Sequence, residues 1–262
     1  NIYFDDCYRF PVVHMGDDEE AFRVILKDYY NRLQDTNDDE IKIDVFEVQT
    51  NYSLNSGLAT AAYDTYITKG KSSNENAVGW NNLFKKLIAF GGVRFDKNDP
   101  LYNEMNNHIW ENIRVVQPIP GFYAFASGAM IGMPSPDTHH NIYSLNKPGW
   151  AISHEFGHTV DKQGRAWAEN TNNMWAIYND FHINKLVTNR NDMSYIPERL
   201  ASDLSDYVTH KNNINAMGDD YLVWWFLEAS HPGYWGKYEN LFITETSDKN
   251  EKGQTILGVA ER

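Results

Sequence analysis

The run His154-Glu155-Phe156-Gly157-His158 constrains this chain more than any other stretch of it. Two histidines four apart come close together on one face only if the segment is helical, one turn separating them. The flanks suit a helix, since Ala151, Ile152, Phe156 and Val160 give it a side to bury and Gly157 leaves room beside the second histidine. Two neutral imidazoles so placed can hold one zinc ion at about 2.0–2.1 Å. Glu155 points beside the metal, where it can take a proton from water whose pKa the ion lowers toward ~7. Such a His-Glu-x-x-His helix carries two ligands and its own general base, which points to peptide hydrolysis. The rival reading, a surface helix with two histidines, does not explain the apolar flank.

Zinc needs a third protein ligand. Trp167-Ala168-Glu169-Asn170-Thr171-Asn172-Asn173 is expected to begin the next helix, with Glu169 eleven residues beyond His158. A turn at Gly164 would fold that helix back and bring Glu169 to the metal. Asn173, one turn after Glu169, would then hydrogen-bond a ligand histidine and fix its tautomer. Glu169 also reads as a helix-start carboxylate favoured by the macrodipole. The competing ligand is Glu198, in Pro197-Glu198-Arg199-Leu200.

The length, 262 residues, allows one large domain or two closely packed subdomains. With 42% hydrophobic and 14% aromatic residues there is ample material for a core. The net charge of -13 disfavours nucleic acid and anionic lipid as partners. A single cysteine, Cys7, excludes an intrachain disulfide and leaves the compartment open. No apolar run is long enough to span a membrane. No signal peptide is visible at Asn1, so the chain reads as a catalytic domain from a longer precursor whose ends carry the targeting information.

Apolar spacing predicts helices over 17–34 and 76–90, the second closed by Gly91-Gly92. Strands are expected over 41–48, 112–117 and 121–133. After Pro148-Gly149 the pattern is helical: 150–162, 166–187, 197–210, 219–230 and 234–242. A mixed sheet-and-helix first half, 1–147, followed by a mainly helical second half, 148–262, makes an α+β protein with the metal site in the second part. The acidic clusters Asp17–Glu20, Asp35–Glu40 and Asp96–Asp99 lack EF-hand spacing, so they read as loop and helix-start charge rather than structural calcium sites.

Gly149-Trp150-Ala151-Ile152-Ser153-His154-Glu155-Phe156-Gly157-His158, followed by Trp167-Ala168-Glu169-Asn170-Thr171-Asn172-Asn173, resembles the enhancin-like zinc peptidases. That family includes viral enhancins and bacterial mucin-degrading peptidases. The segment 124–132 resembles the strand before their metal helix. Trp224-Trp225-Phe226-Leu227-Glu228 and Pro232-Gly233-Tyr234-Trp235 resemble the aromatic helix pair after it. The likeness covers about 113–242, and the first hundred residues match only loosely. It implies a zincin-like (gluzincin) fold with one catalytic zinc on His154, His158 and Glu169, and Glu155 as base. It also implies a secreted or cell-surface enzyme acting on O-glycosylated, mucin-type proteins. The acidic charge favours a neutral core glycan over a sialylated one. His154 to Asp161 also echoes lethal-factor-like toxins, whose glutamate ligand lies much later, and the early Glu169 argues against them.

Other residues carry weaker signals. Tyr195, Tyr207, His210 and His231 follow the metal helices and are the candidates for an oxyanion or proton donor. His14, His108, His139, His140 and His182 lack metal spacing. Trp224, Trp225, Tyr234 and Trp235 could stack on sugar rings, although helical spacing more often marks a core. The small-residue strand 124–133 could pair with an extended substrate. A catalytically inactive glycan- or mucin-binding module on the same fold is the reading from a different class. Glu155 counts against it, because a binder has no use for a base beside the metal.

Overall fold

The computed structural model describes residues 9–35, 43–100, 102, 113–116, 124–127, 130–133, 149–160, 169–188, 190–194, 197–199, 201–202, 205 and 221–246. By its own contacts the chain divides into two units: Asn1–Phe84 with Glu111–Lys147, and Lys85–Trp110 with Pro148–Arg262.

The first unit is built on a six-stranded mixed sheet. Its strands are β1 (Val12–His14), β2 (Phe46–Gln49), β3 (Ser53–Gly57), β4 (Ile113–Val116), β5 (Phe125–Ser127) and β6 (Met130–Gly132), in the order β1-β2-β3-β4-β6-β5. Pairs β2–β3 and β5–β6 are antiparallel and the other three are parallel. One cross-strand row, Val13, Val48, Asn55, Val115 and Ile131, lies on the buried face, and each of these residues is fully buried. Asn55 satisfies its amide nitrogen by donating to the Val48 carbonyl in that row and to Ser53 Oγ two residues back on its own strand.

Helix α1 (Glu19–Gln34) buries Phe22, Leu26 and Tyr29, and Phe22 meets Phe46 and Tyr66 ring to ring. Asp18 caps it, accepting from the Ala21 N–H. Helix α2 (Ala59–Tyr63) runs on into a π-helical turn, Asp64–Thr68. Helix α3 (Ser73–Phe90) begins three residues earlier than the pattern suggested, because a distant side chain caps it. Glu19 accepts the Ser73 and Asn74 N–H groups and the Ser72 hydroxyl. Partial burial alone would raise the Glu19 pKa, but those donors outweigh it and hold the carboxyl below its ordinary value.

One expectation for this unit changes. The single strand over 121–133 is a hairpin of β5 and β6, in which the Phe125 ring crosses Gly132 so closely that a Cβ there would stand 2.7 Å from Phe125 Cδ1. Two of its acidic residues act as turn acceptor and cap: Asp17 accepts from His14 N–H and Asp18 caps α1.

The second unit contains the last turns of α3, then α4 (Trp150–Val160), α5 (Asn173–Tyr178), α6 (Tyr221–Ser230) and α7 (Tyr234–Thr246). Residues 197–199 and 201–202 are also helical. The core is aromatic. Trp175 stands edge-on to Trp235 at 5.5 Å, Phe90 lies at 6.0 Å from Trp175, and the Trp175 indole N–H donates to the Leu87 carbonyl. Glu228 accepts from the Gly233 and Trp235 N–H groups, which ties α6 to the start of α7. Trp225 and Trp235 are fully buried, so these two are core residues and not a platform for sugars. No helix among the described residues is long and apolar enough to cross a membrane.

Candidate metal centre

Helix α4 buries Ile152, Phe156 and Val160, one turn apart each, and so turns His154 and His158 to the opposite side. Arg190 lies over the Trp150 ring at 4.5 Å, a cation–π contact at the first residue of the helix. The two imidazoles are 4.9 Å apart and nearly perpendicular, at 87°. Their side chains are 18% and 22% exposed, partly shielded but still open to a ligand.

Glu169 reaches both rings. Its Oε2 lies 3.1 Å from His154 Nε2 and its Oε1 3.2 Å from His158 Nε2. Among the described residues, His154, His158 and Glu169 are the one group of three whose ligand atoms lie together, all within 4.8 Å. Tetrahedral ligands at 2.0–2.1 Å from one ion stand about 3.3 Å from each other. The two separations, 3.1 and 3.2 Å, match that spacing, and two imidazoles with a carboxylate are a metal-binding donor set. The residues present therefore fit a metal.

Glu169 does not begin a helix as the sequence suggested. It sits in a turn with φ +75°, ahead of α5, which starts only at Asn173 and continues as a π-helical turn, Asn179–Ile183. A left-handed backbone at a non-glycine residue costs energy and persists only where the surroundings impose it. Here Asn173 supplies the restraint, donating its side-chain amide to the Glu169 carbonyl. The other end of the same amide, Oδ1, is 2.7 Å from His154 Nδ1. An oxygen there calls for a proton on Nδ1, which leaves Nε2 as a free lone pair beside Glu169.

Glu155 is buried, 6% exposed, on the same helix. Burial pushes its carboxyl above the ordinary value, the nearby His154 and His158 oppose that shift, and Glu169 adds to it. A carboxyl raised in this way is a stronger proton acceptor once ionised.

The remaining candidates fall elsewhere. Glu198 is helical and exposed and is not in the group of three. His231 is exposed in the turn between α6 and α7. Tyr195, Tyr207 and His210 lie outside the described residues, as do His108, His139 and His140. His14 is bonded to Asp17 and Gln49, and His182 packs against Tyr178, Phe181 and Trp225. Sequence reasoning missed Asn172, whose side-chain nitrogen is 3.0 Å from His158 Nε2. The available signal was the glycine at 157: a Cβ there would stand 2.7 Å from the Asn172 Cα and closer still to its carbonyl oxygen.

No family model and no curated protein is similar to this chain. Solved structures are. The ZmpB metallopeptidase from Clostridium perfringens superposes with a TM-score of 0.70 at 25% identity, covering 94% of this chain and 48% of that one. The M60 catalytic domain of Clostridium perfringens ZmpC, solved in complex with the sialyl T antigen, gives 0.68 at 23% identity, with 94% and 48% covered. A metallopeptidase in complex with the Tn antigen gives 0.59 at 14% identity, covering 89% and 42%. The latter two speak to fold alone, and the chain spans about half the length of the solved chains it matches. The chain thus shares the fold of solved M60 metallopeptidase domains, and it carries His154-Glu155-Phe156-Gly157-His158 on helix α4.

Proposed function

We propose that this chain is a zinc metalloendopeptidase that hydrolyses peptide bonds in O-glycosylated, mucin-type proteins outside the cell. The observation that carries the reading is the convergence of His154 Nε2, His158 Nε2 and the Glu169 carboxylate within 4.8 Å, with a buried glutamate on the same helix. His154, His158 and Glu169 would hold the ion. When bound, zinc supplies Lewis acidity that polarises a carbonyl and acidifies water.

Everything else in the reaction falls to the chain. Glu155 accepts the proton of the attacking water and returns it to the leaving amine, the general-base and general-acid roles of one carboxyl. Asn173 keeps His154 in the tautomer that presents Nε2 and holds the turn that presents Glu169. The donor that completes the oxyanion site is sought among Tyr195, Tyr207, His210 and His231.

The glycan requirement is supported by relatives solved with Tn antigen and with sialyl T antigen. A sugar subsite would contribute binding energy remote from the reacting carbonyl and hold the peptide in register. The net charge of -13 favours a neutral glycan, whereas one relative is solved with a sialylated one.

The test is one mucin-type peptide in three forms: bare, carrying a single N-acetylgalactosamine, and carrying a sialylated extension. Each is incubated with and without chelator, and products are identified by mass spectrometry. Chelator-sensitive cleavage of the glycosylated forms alone is expected. Equal cleavage of the bare peptide removes the glycan requirement. Binding of glycopeptide without cleavage by metal-loaded protein would favour the inactive binding module.

A further inference from the structure

Asn172 occupies the N-cap position of α5, yet its side chain makes no capping hydrogen bond. It is fully buried and turned toward the metal helix instead. Its Nδ2 lies 3.1 Å from both Nδ1 and Nε2 of His154, 3.0 Å from His158 Nε2 and 3.4 Å from the His154 carbonyl oxygen. An atom equidistant from the two nitrogens of an imidazole is on the lone-pair axis of neither. The ring C–H between them fills the in-plane position, so the amide nitrogen lies over the ring face. The contact with His154 is therefore N–H against a π face. It leaves the in-plane lone pair of Nε2 pointing away from Asn172.

The backbone of Asn172 is wedged from the other side. Gly157, three residues after His154 and next to His158, meets its Cα and carbonyl at a distance no Cβ would permit. Asn172 thus packs on α4 at Gly157, beside the row that carries both histidines, with its amide touching both rings. His154 has a further restraint, the Asn173 oxygen on its Nδ1. Among the described residues, His158 has only Glu169 and Asn172 as polar partners.

We propose that Asn172 is a positioning residue that sets the mutual angle of the two metal-binding imidazoles, and above all the orientation of His158. The inference rests on the zinc-site reading above. It assigns the two consecutive asparagines different tasks. Asn173 acts in the plane of His154 through Nδ1, and Asn172 acts across the face of His154 and at Nε2 of His158. The near-perpendicular arrangement of the rings, 87° at 4.9 Å, is the geometry the wedge maintains.

The experiment compares wild type with Asn172→Ala. Zinc affinity is measured by competition with a chromogenic chelator, and the visible absorption of the cobalt(II)-substituted protein reports ligand geometry. The alanine variant should bind zinc roughly 10–100-fold more weakly, the loss typical of an outer-shell partner. Its cobalt bands should shift in position and intensity, which a general loss of stability would not cause. Asn172→Ser is the second variant, too short to span both rings, and should give the same two changes even if the alanine protein does not fold. Variants that keep wild-type zinc affinity and wild-type cobalt bands overturn the proposal and leave the zinc site standing. Wild-type protein that takes up neither metal overturns both.

Discussion

Gly157 and Asn172 touch backbone to backbone, with no room for a side chain at position 157. The helix that carries the two candidate metal-binding histidines and the turn that returns with Glu169 are brought to this distance by the absence of one methyl group. Gly157→Ala should therefore push the turn away. We expect a loss of about 1–3 kcal/mol in stability from overpacking, together with weaker zinc binding. Thermal melts and metal analysis of the purified variant check both, and unchanged values would show that the turn yields freely.

Replacing Glu155 by Gln removes a proton acceptor while keeping the ligands. Metal content should stay near wild type while kcat falls by about 10²–10⁴-fold. Loss of zinc with turnover per bound metal preserved would mean that Glu155 is not the base.

Glu169→Ala should weaken zinc affinity, whereas Glu198→Ala should leave it unchanged. Asn173→Ala should lie between them, about 10–100-fold down. Metal analysis by competition titration ranks the three, and the reverse order for the two glutamates would move the third ligand to position 198.

Glu19 links stability to pH. Its carboxyl is held below the ordinary glutamate value by the N–H groups at the start of α3 and the Ser72 hydroxyl, against the opposing effect of burial. The ionised form is thus favoured by folding. Its contribution is present above the unfolded pKa, about 4.3, and disappears as pH falls through the lower folded value. Glu19→Gln should cost about 0.5–2 kcal/mol at neutral pH, the range of a lost helix cap. Denaturant titrations at falling pH should show the gap between wild type and variant closing. A gap that widens toward acid would contradict this assignment.

The parts of the fold that were legible in the sequence are those fixed by local spacing. Phe22, Leu26 and Tyr29 marked α1, and Ile152, Phe156 and Val160 marked α4, because each set repeats at the helical period. Glu169 was legible as a ligand candidate by type and distance along the chain, but its left-handed backbone was not, since that depends on Asn173 holding its carbonyl. The strand β3, Ser53-Leu54-Asn55-Ser56-Gly57, has little intrinsic preference for extended structure and is held by β2 and β4 on either side. Its entry is set by Thr50, whose hydroxyl accepts the Tyr52 and Ser53 N–H groups. The early start of α3 was hidden for a similar reason, because its cap comes from a residue more than fifty positions away.

The bond from the Trp175 indole to the Leu87 carbonyl, 88 residues back in the chain, bears on how this protein can be cut. A fragment beginning at Pro148 would keep every candidate metal ligand and still lose the last turns of α3. Trp175 would then have a buried N–H with nothing to donate to, at a cost of about 1–3 kcal/mol. Trp235 and Tyr178 would lose the Phe90 ring that stacks on them. The candidate ligands are close in sequence, but the support beneath them is not, so the shortest piece that binds metal stably should have to include the stretch from Lys85 onward that carries Leu87 and Phe90.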